Sequence, residues 1–136
     1  MAKIITYLDA GVLIVAYAGN YLISQKAWEI IDDPQREFVK SIFLELEILP
    51  KAIYHQQQAE VEFYQSFLAS CQLGANQIDK IVQKGYEIAT NFGVAAMDSL
   101  HLAAALEMNC DEFVTTEKVT KPLHRVTGIK IISINN

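Results

Sequence analysis

The 136-residue sequence has little of what usually marks a nucleic-acid-binding protein or a membrane protein. Its 11 lysines and arginines are outnumbered by 16 aspartates and glutamates, so the net charge is −5 and there is no basic footprint. No signal peptide is evident, and the longest early apolar run, residues 10–18, is too short to span a bilayer. These absences argue against a passive nucleic-acid binder and against a membrane protein. They weigh less against a metal-dependent nuclease, whose bound cations would offset acidic side chains locally.

Cysteine is scarce, and several well-known catalytic motifs are missing. Cys71 and Cys110 are the only cysteines, and their spacing is not that of a metal site. Such isolated thiols are typical of buried, reduced cysteines in a cytosolic protein, so we predict a cytoplasmic location. The sequence has no Gly-rich phosphate loop, no Gly-x-Ser-x-Gly elbow and no paired Cys-His arrangement. These absences argue against nucleotide cofactors and against a serine or cysteine nucleophile.

The residues that are present indicate an ordinary globular protein. Hydrophobic residues make up 51% of the chain and charged residues 20%, and no repeat or linker divides it, so we predict a single domain over residues 1–136. Strand-like runs alternate with helical periodicity, which predicts a three-layer α/β/α sandwich with a mainly parallel central sheet. The predicted strands are residues 3–8, 37–41, a short one near 71–75, 112–115 and 129–134, and the predicted helices are 10–17, 22–32, 43–54, 57–70, one from Asn76 to Gly93, and 96–108.

The helix that follows Asn76 carries the clearest local signals. Asn76 is a residue type that caps helices, and Gly93 supplies a stop. Apolar periodicity predicts that its buried face consists of Ile78, Ile81, Val82, Tyr86 and Ala89. The next helix, 96–108, is apolar almost all round and is therefore predicted to be buried.

Two acidic residues follow predicted strands at the end where open α/β sheets bind ligands. Asp9 comes directly after strand 3–8, and Glu117 follows strand 112–115 through Thr116. Each also has an ordinary explanation when taken singly. Asp9 could be a helix N-cap, and Glu117 could be a surface residue in a turn.

Two further acids lie in the N-terminal halves of helices, which begin at the same edge of a parallel sheet. The apolar neighbours of Glu47 leave almost no polar face on its helix, so we predict that this carboxylate is paired, protonated or bound to a cation. Glu45 lies about 200° away around the helix, and the pattern favours Glu47. Asp98 opens helix 96–108, where a carboxylate also complements the helix dipole. His101 shares its face and is more typical of a hydrogen-bonded packing residue than of a zinc ligand.

Together the four acids predict a cation site. Two like charges about 4 Å apart repel by about 1 kcal/mol in water, and by roughly 4 kcal/mol at an effective dielectric constant of 20. Several such pairs would destabilise a small domain unless a positive ion lay between them. Oxygen-only ligands favour a hard ion, Mg²⁺ or Mn²⁺, that retains several waters. The predicted metal ligands and catalytic residues are Asp9, Glu47, Asp98 and Glu117.

Four blocks of sequence carry a family resemblance. They are Tyr7-Leu8-Asp9 before an apolar helix, residues 41–47, residues 93–105 and residues 113–118. In these blocks the chain resembles the PIN-domain ribonucleases, specifically small stand-alone toxins of the VapC type. The resemblance implies a PIN-like fold and an endoribonuclease that hydrolyses RNA phosphodiesters, with one or two Mg²⁺ or Mn²⁺ ions activating a water. It also implies that the four acids are the metal ligands, with Thr116 as a polar neighbour of the fourth.

The same resemblance implies binding partners. A toxin of this type would have a cognate antitoxin that wraps the site and inserts a basic side chain among the acids, and it would form a homodimer. Lys118, Lys121 and Arg125 follow the fourth acid closely and could contact phosphates of an RNA substrate. No association with a membrane is expected.

Two departures from the family pattern leave other functions open. Gly11 stands where such proteins commonly carry a polar residue, and Glu117 is one methylene longer than the usual aspartate. A second hypothesis is therefore a catalytically weakened PIN-like module that binds RNA or a partner protein. A third is a phosphatase-like hydrolase with Asp9 as the nucleophile. That chemistry needs a second aspartate two residues on, where the chain has Gly11.

Overall fold

A single parallel sheet organises the chain. The computed structural model describes residues 2–19 and 21–135. Within these ranges five strands pair in the order β3-β2-β1-β4-β5, and all four strand pairs are parallel. The strands are β1 (Ile4–Leu8), β2 (Arg36–Ser41), β3 (Leu73–Ala75), β4 (Glu112–Thr115) and β5 (Lys130–Ser133).

Helices cover both faces of this sheet. Successive residues of a strand point to opposite faces, and Tyr7 and Leu8 at the end of β1 are both fully buried. Leu8 belongs to a core formed with the first four helices, whereas Tyr7 belongs to a second core formed mainly with the last two. The predicted three-layer fold is therefore confirmed. The helices are α1 (Ala10–Ala18), α2 (Tyr21–Ile31), α3 (Ile42–Tyr54), α4 (Gln58–Ser70), α5 (Ile78–Phe92), α6 (Ala96–Glu107) and a 3₁₀ turn (Pro122–Arg125).

Helix α5 differs from its prediction at its start and on its buried face. The residue that precedes it is Gln77, which makes no side-chain capping bond, so Asn76 is not the cap. The buried residues are Ile81, Gly85 and Ile88, whereas the predicted Ile78, Val82 and Tyr86 are exposed. Gly85 explains the rotation: a Cβ added there would lie 3.1 Å from Leu100 Cδ2 of α6, so its lack of a side chain lets the two helices approach closely. Because the prediction counted only large apolar residues, it could not identify the face on which a glycine contacts the next helix.

The predicted end of α5 is confirmed, whereas the predicted burial of β5 is wrong. Gly93 ends the helix in the left-handed conformation, with φ of 69°, and its N–H donates to Ala89. Strand β5 lies in the run 129–134, which is apolar on both faces, a pattern typical of a covered parallel strand. It is instead an edge strand whose residues are half-buried or exposed. None of the helices in the described ranges is both long and apolar enough to cross a membrane.

The centre of the sheet positions the site. Strands β1 and β4 are neighbours, with Leu8 paired to Val114, so the segments that follow them leave side by side. The segment after β1 becomes α1 on one face, and the segment after β4 leads to the 3₁₀ turn, whose Leu123 packs into the core of the other face. Such a divergence opens a crevice at the carboxyl ends of the strands, where open α/β sheets bind ligands.

Candidate active site

Asp9 lies in this crevice and is held from three directions. Its backbone N–H donates to Val114 O at 3.0 Å, its Oδ1 accepts from Val12 N at 3.3 Å, and its Oδ2 accepts from the hydroxyl of Thr115. Burial raises the pKa of Asp9 to about 6, although the Thr115 hydrogen bond opposes that shift. Asp9 is therefore the N-cap of α1 and also a buried carboxylate at the sheet edge.

Thr115 joins the site although no sequence pattern marks it. Because Leu8 pairs with Val114, the next residues, Asp9 and Thr115, lie side by side, and the parallel register would have revealed this contact. The Thr115 hydroxyl also accepts from Glu117 N at 3.0 Å. The predicted neighbour Thr116 is instead turned toward Gly11, where its Oγ1 occupies the space that a Cβ on residue 11 would need. The glycine at position 11, where the family commonly has a polar residue, therefore leaves room for the Thr116 hydroxyl.

Glu47 is paired, as predicted, but it is not buried. Its Oε1 is hydrogen-bonded to His101 Nε2, and that hydrogen bond lowers the pKa of the carboxyl group. Its side chain is 36% exposed, and the apolar neighbours Ile42 and Leu46 are also exposed, at 45% and 59%. The prediction of an almost wholly apolar environment is wrong because α3 buries only the stripe of Phe43, Leu44, Ile48 and Ala52.

His101 ends a row of buried polar groups that runs beneath the site. Its Nδ1 lies 2.7 Å from Tyr7 Oη, which lies 2.7 Å from Ser41 Oγ. Ser41 in turn caps α3 by accepting from Leu44 N at 3.1 Å. Tyr7, Ser41 and His101 are all buried, and the prediction of His101 as a hydrogen-bonded packing residue is confirmed. Its bond to Glu47 was not anticipated.

Asp98 connects the other acids electrostatically. Burial raises the pKa of Asp98, and the charges of Glu117 and Glu47 raise it further. The charge of Asp98 in turn contributes to the raised pKa of Asp9. Asp98 and Glu117 line one cavity of about 360 Å³, whose other walls are Gly93, Val94, Ala95, Lys121, Pro122 and Leu123. Asp98 and Glu117 therefore share one cavity, and the charge of Asp98 also affects the pKa of Asp9.

The donor chemistry of these acids fits a hard divalent cation. Among the described residues, no lysine or arginine forms an ion pair with any of the four. Their carboxylate oxygens are the ligands that Mg²⁺ and Mn²⁺ prefer. The described side chains do not include a ready-made group of three or more histidines, cysteines or acids that could enclose an ion. A cation held here would therefore keep much of its water, as Mg²⁺ usually does.

The three basic residues predicted to contact RNA are placed differently from one another. Lys121 lines the cavity that contains Asp98 and Glu117. Lys118 is exposed in the turn after Glu117, and its carbonyl accepts from Lys121 N at 2.9 Å. Arg125 is exposed and donates from Nη1 to Phe92 O at 3.5 Å, near the end of α5. Of the three, Lys121 is therefore the one that the structure places beside Asp98 and Glu117.

Comparison with known proteins supports the fold. No family model matches the sequence, and no curated protein matches it. Over 96% of this chain, the structure of VapBC2 from Rickettsia felis bound to a DNA fragment from its promoter matches with a TM-score of 0.70 and 12% identity, covering 98% of that chain. A toxin–antitoxin complex from Klebsiella pneumoniae matches with a TM-score of 0.68 and 17% identity, over 95% of this chain and 97% of that one. DNA-bound VapBC from Salmonella typhimurium gives a TM-score of 0.63 and 14% identity, over 98% and 99%.

At these identities the likeness concerns the fold alone. It extends over nearly the whole of each chain. The chain therefore has the VapC-like PIN fold that its sequence motifs implied.

Proposed function

We propose that this protein is a Mg²⁺- or Mn²⁺-dependent endoribonuclease and the toxin of a type II toxin–antitoxin pair. The observation that carries the proposal is the placement of Asp9, Asp98 and Glu117 at the carboxyl edge of the sheet, where Asp98 and Glu117 line one cavity and Thr115 joins the Asp9 carboxylate to the backbone of Glu117. Like charges gathered with no described lysine or arginine paired to them are costly unless a cation is bound. The likeness to chains of VapBC complexes adds support for the toxin role.

Different residues would bind the cation and the RNA. Asp9, Glu47 and Asp98 would hold the ion, and Glu117, with its longer side chain, would act on it through water. The bound cation would supply an activated water for in-line attack and would offset charge on the attacking and leaving oxygens. Thr115 fixes the Asp9 carboxylate and the backbone of Glu117. Lys121, in the same cavity as Asp98 and Glu117, would bind a phosphate of the RNA, with Lys118 and Arg125 along its path.

The proposed partners follow from the charge of the site and from the compared complexes. An acidic chain with a net charge of −5 has little intrinsic attraction for RNA, so a homodimer that joins two sets of basic residues would strengthen binding. The compared structures are of toxin–antitoxin complexes. A cognate antitoxin of this protein would place a basic side chain among the four acids, where it would take the position of the cation.

The substitution Asp98→Asn tests the proposal. It keeps the shape of the side chain but removes one of the negative charges that would hold the cation. Mn²⁺-dependent cleavage of RNA should therefore fall at least about 100-fold, the loss that is typical when a group that stabilises transition-state charge is removed. Asp79→Asn is a matched control, because Asp79 occupies the first turn of α5 as Asp98 occupies the first turn of α6. Circular dichroism should show both variants folded. Unchanged cleavage by Asp98→Asn would contradict the proposal.

One observation favours the second hypothesis, a weakened PIN-like module that binds RNA or a partner protein. The described side chains include no ready-made group of three metal ligands, and one oxygen of Glu47 is already engaged by His101. This hypothesis predicts RNA binding without turnover in either Mg²⁺ or Mn²⁺. It also predicts no thermal stabilisation by Mn²⁺. A binding ion at 100 times its dissociation constant should add about 2.7 kcal/mol to the free energy of unfolding.

A further inference from the structure

The row of buried polar groups under the site has a defined direction. Glu47 Oε1 is a carboxylate oxygen and can only accept, so His101 Nε2 must be the donor in their bond. At the other end, Leu44 N donates to Ser41 Oγ, which leaves the Ser41 hydroxyl hydrogen free to point at Tyr7 Oη. Tyr7 can then donate its own hydrogen to His101 Nδ1. Ser41, Tyr7 and His101 each donate once and each accept once.

This direction assigns the form of His101. With Nε2 donating to Glu47 and Nδ1 accepting from Tyr7, the ring is neutral and carries its hydrogen on Nε2. The reverse direction, with hydrogens on both ring nitrogens, would make Tyr7 donate to Ser41. The Ser41 oxygen would then accept from both Tyr7 and Leu44, and its own hydrogen would have no acceptor in the row. Only the first arrangement uses every hydrogen.

The groups that form the row are rigidly held. Tyr7 is fully buried, and its ring stacks on Phe113 at 5.5 Å with an angle of 7° between the planes. His101 is 1% exposed and Ser41 is 4% exposed. Glu47, by contrast, has a side chain that is 36% exposed and lies on the solvent side of α3. A half-exposed glutamate would otherwise sample several rotamers, so its position is determined by the buried histidine.

We propose that His101, fixed by Tyr7 and Ser41 in the neutral form with hydrogen on Nε2, is the positioning residue for Glu47 and leaves that carboxylate a single free oxygen, Oε2, for a cation. The hydrogen-bonding part of the inference stands on contacts within the chain. The binding of a cation by Glu47 Oε2 rests on the proposed function. A partner that orients a ligand in this way typically contributes about 10- to 100-fold to metal affinity.

Nuclear magnetic resonance of the histidine side chains tests the row without any metal. A long-range ¹H–¹⁵N correlation spectrum distinguishes the two neutral forms of a histidine and its charged form. We expect His101 in the wild-type protein to show hydrogen on Nε2 alone. Tyr7→Phe should keep that hydrogen, because Glu47 still accepts it, while the ¹⁵N shift of Nδ1 changes with the loss of its donor. A wild-type His101 with hydrogen on Nδ1, or on both nitrogens, would overturn the assignment.

Metal binding provides the second measurement. His101→Leu should weaken Mn²⁺ binding about 10- to 100-fold by calorimetry, and His101→Gln should recover most of it, because a glutamine amide can donate to Glu47. Tyr7→Phe should lie between them. Tyr64→Phe is the matched control, since Tyr64 is another buried tyrosine, bonded to Glu60 at 2.6 Å outside the row, and it should bind Mn²⁺ like the wild type.

The outcomes separate this inference from the proposed function. If His101→Leu does not fold, His101→Gln and Tyr7→Phe carry the comparison. Equal Mn²⁺ affinity in the wild type, Tyr7→Phe and the folded His101 variants would overturn the positioning role. If the wild type itself binds no Mn²⁺ but His101 has its hydrogen on Nε2, the proposed function fails and the hydrogen-bonded positioning of Glu47 stands.

Discussion

The hydroxyl of Thr115, the last residue of β4, donates a hydrogen bond to Oδ2 of Asp9, the first residue after β1. The bond crosses between the two central strands at the point where the chain segments after them diverge. It is also linked onward, because Glu117 N donates to the same hydroxyl. One threonine thus fixes the first and the fourth acid of the candidate site relative to each other.

Thr115→Val should therefore affect both stability and metal binding. Removing the hydroxyl leaves a buried carboxylate oxygen and a backbone N–H without their partner, at a cost of about 1–3 kcal/mol in the free energy of unfolding. Urea denaturation measures that loss, and Mn²⁺ titration should show weaker binding. Thr6→Val is a matched control: Thr6 is also fully buried and donates to a carboxylate, Glu112, at 2.7 Å in the body of the sheet. It should lose stability but keep Mn²⁺ affinity; equal Mn²⁺ affinity in both variants would contradict the role of Thr115.

Asp98→Asn should stabilise the metal-free protein while it removes activity. The pKa of Asp98 is raised by burial and by the charges of Glu117 and Glu47, which means that its charged form is disfavoured in the folded state. The neutral amide relieves that repulsion, so the free energy of unfolding at neutral pH should rise by up to about 1 kcal/mol. Denaturant melts without divalent ions measure the change. A variant that is less stable than the wild type would show that Asp98 forms a favourable interaction instead.

Gly11 and Thr116 should behave as a coupled pair. Gly11→Ala places a Cβ against the Thr116 hydroxyl, and such overpacking typically costs about 1–3 kcal/mol. In a Thr116→Ala background the clash with the hydroxyl is gone, and contacts of 3.3 Å with Asp9 Oδ1 and with Cβ of residue 116 remain, so the same substitution should cost less than about 1 kcal/mol. A double-mutant cycle measured by urea denaturation gives the coupling. Additive effects would show that the two side chains do not compete for space.

The two cysteines should be unreactive in the folded protein. Burial raises the pKa of Cys71 to about 12 and that of Cys110 to about 12 from the ordinary 9.0, so almost no thiolate is present at pH 8. Labelling with a disulfide reagent should be slow in the native state and complete in guanidinium chloride. In the unfolded chain the two thiols ionise near their ordinary pKa of 9.0, whereas in the folded protein they stay protonated until about 12. Between these pH values, loss of the thiol protons favours the unfolded state. Stability should therefore fall as the pH rises above about 9. Rapid native-state labelling of either thiol would contradict this.

The sequence by itself determined the layer architecture, because each strand and helix carries its own local signal. The apolar runs before Asp9 and around Val114 predicted two strands of a mainly parallel sheet, and Gly93 predicted the end of α5, as the structure confirms. The acids that follow strands or open helices could be assigned to one edge for the same reason. Chain direction alone places them there.

Contacts between elements were decided only by the tertiary structure. The pairing of Glu47 with His101 joins residues 54 positions apart, and that of Asp9 with Thr115 joins residues 106 positions apart. Neither contact has a local signal, since each depends on how two elements pack. The buried face of α5 was mispredicted for the same reason, because Gly85 rather than a large apolar residue faces α6. Periodicity reports which residues are apolar, whereas burial depends on which face a neighbouring element covers.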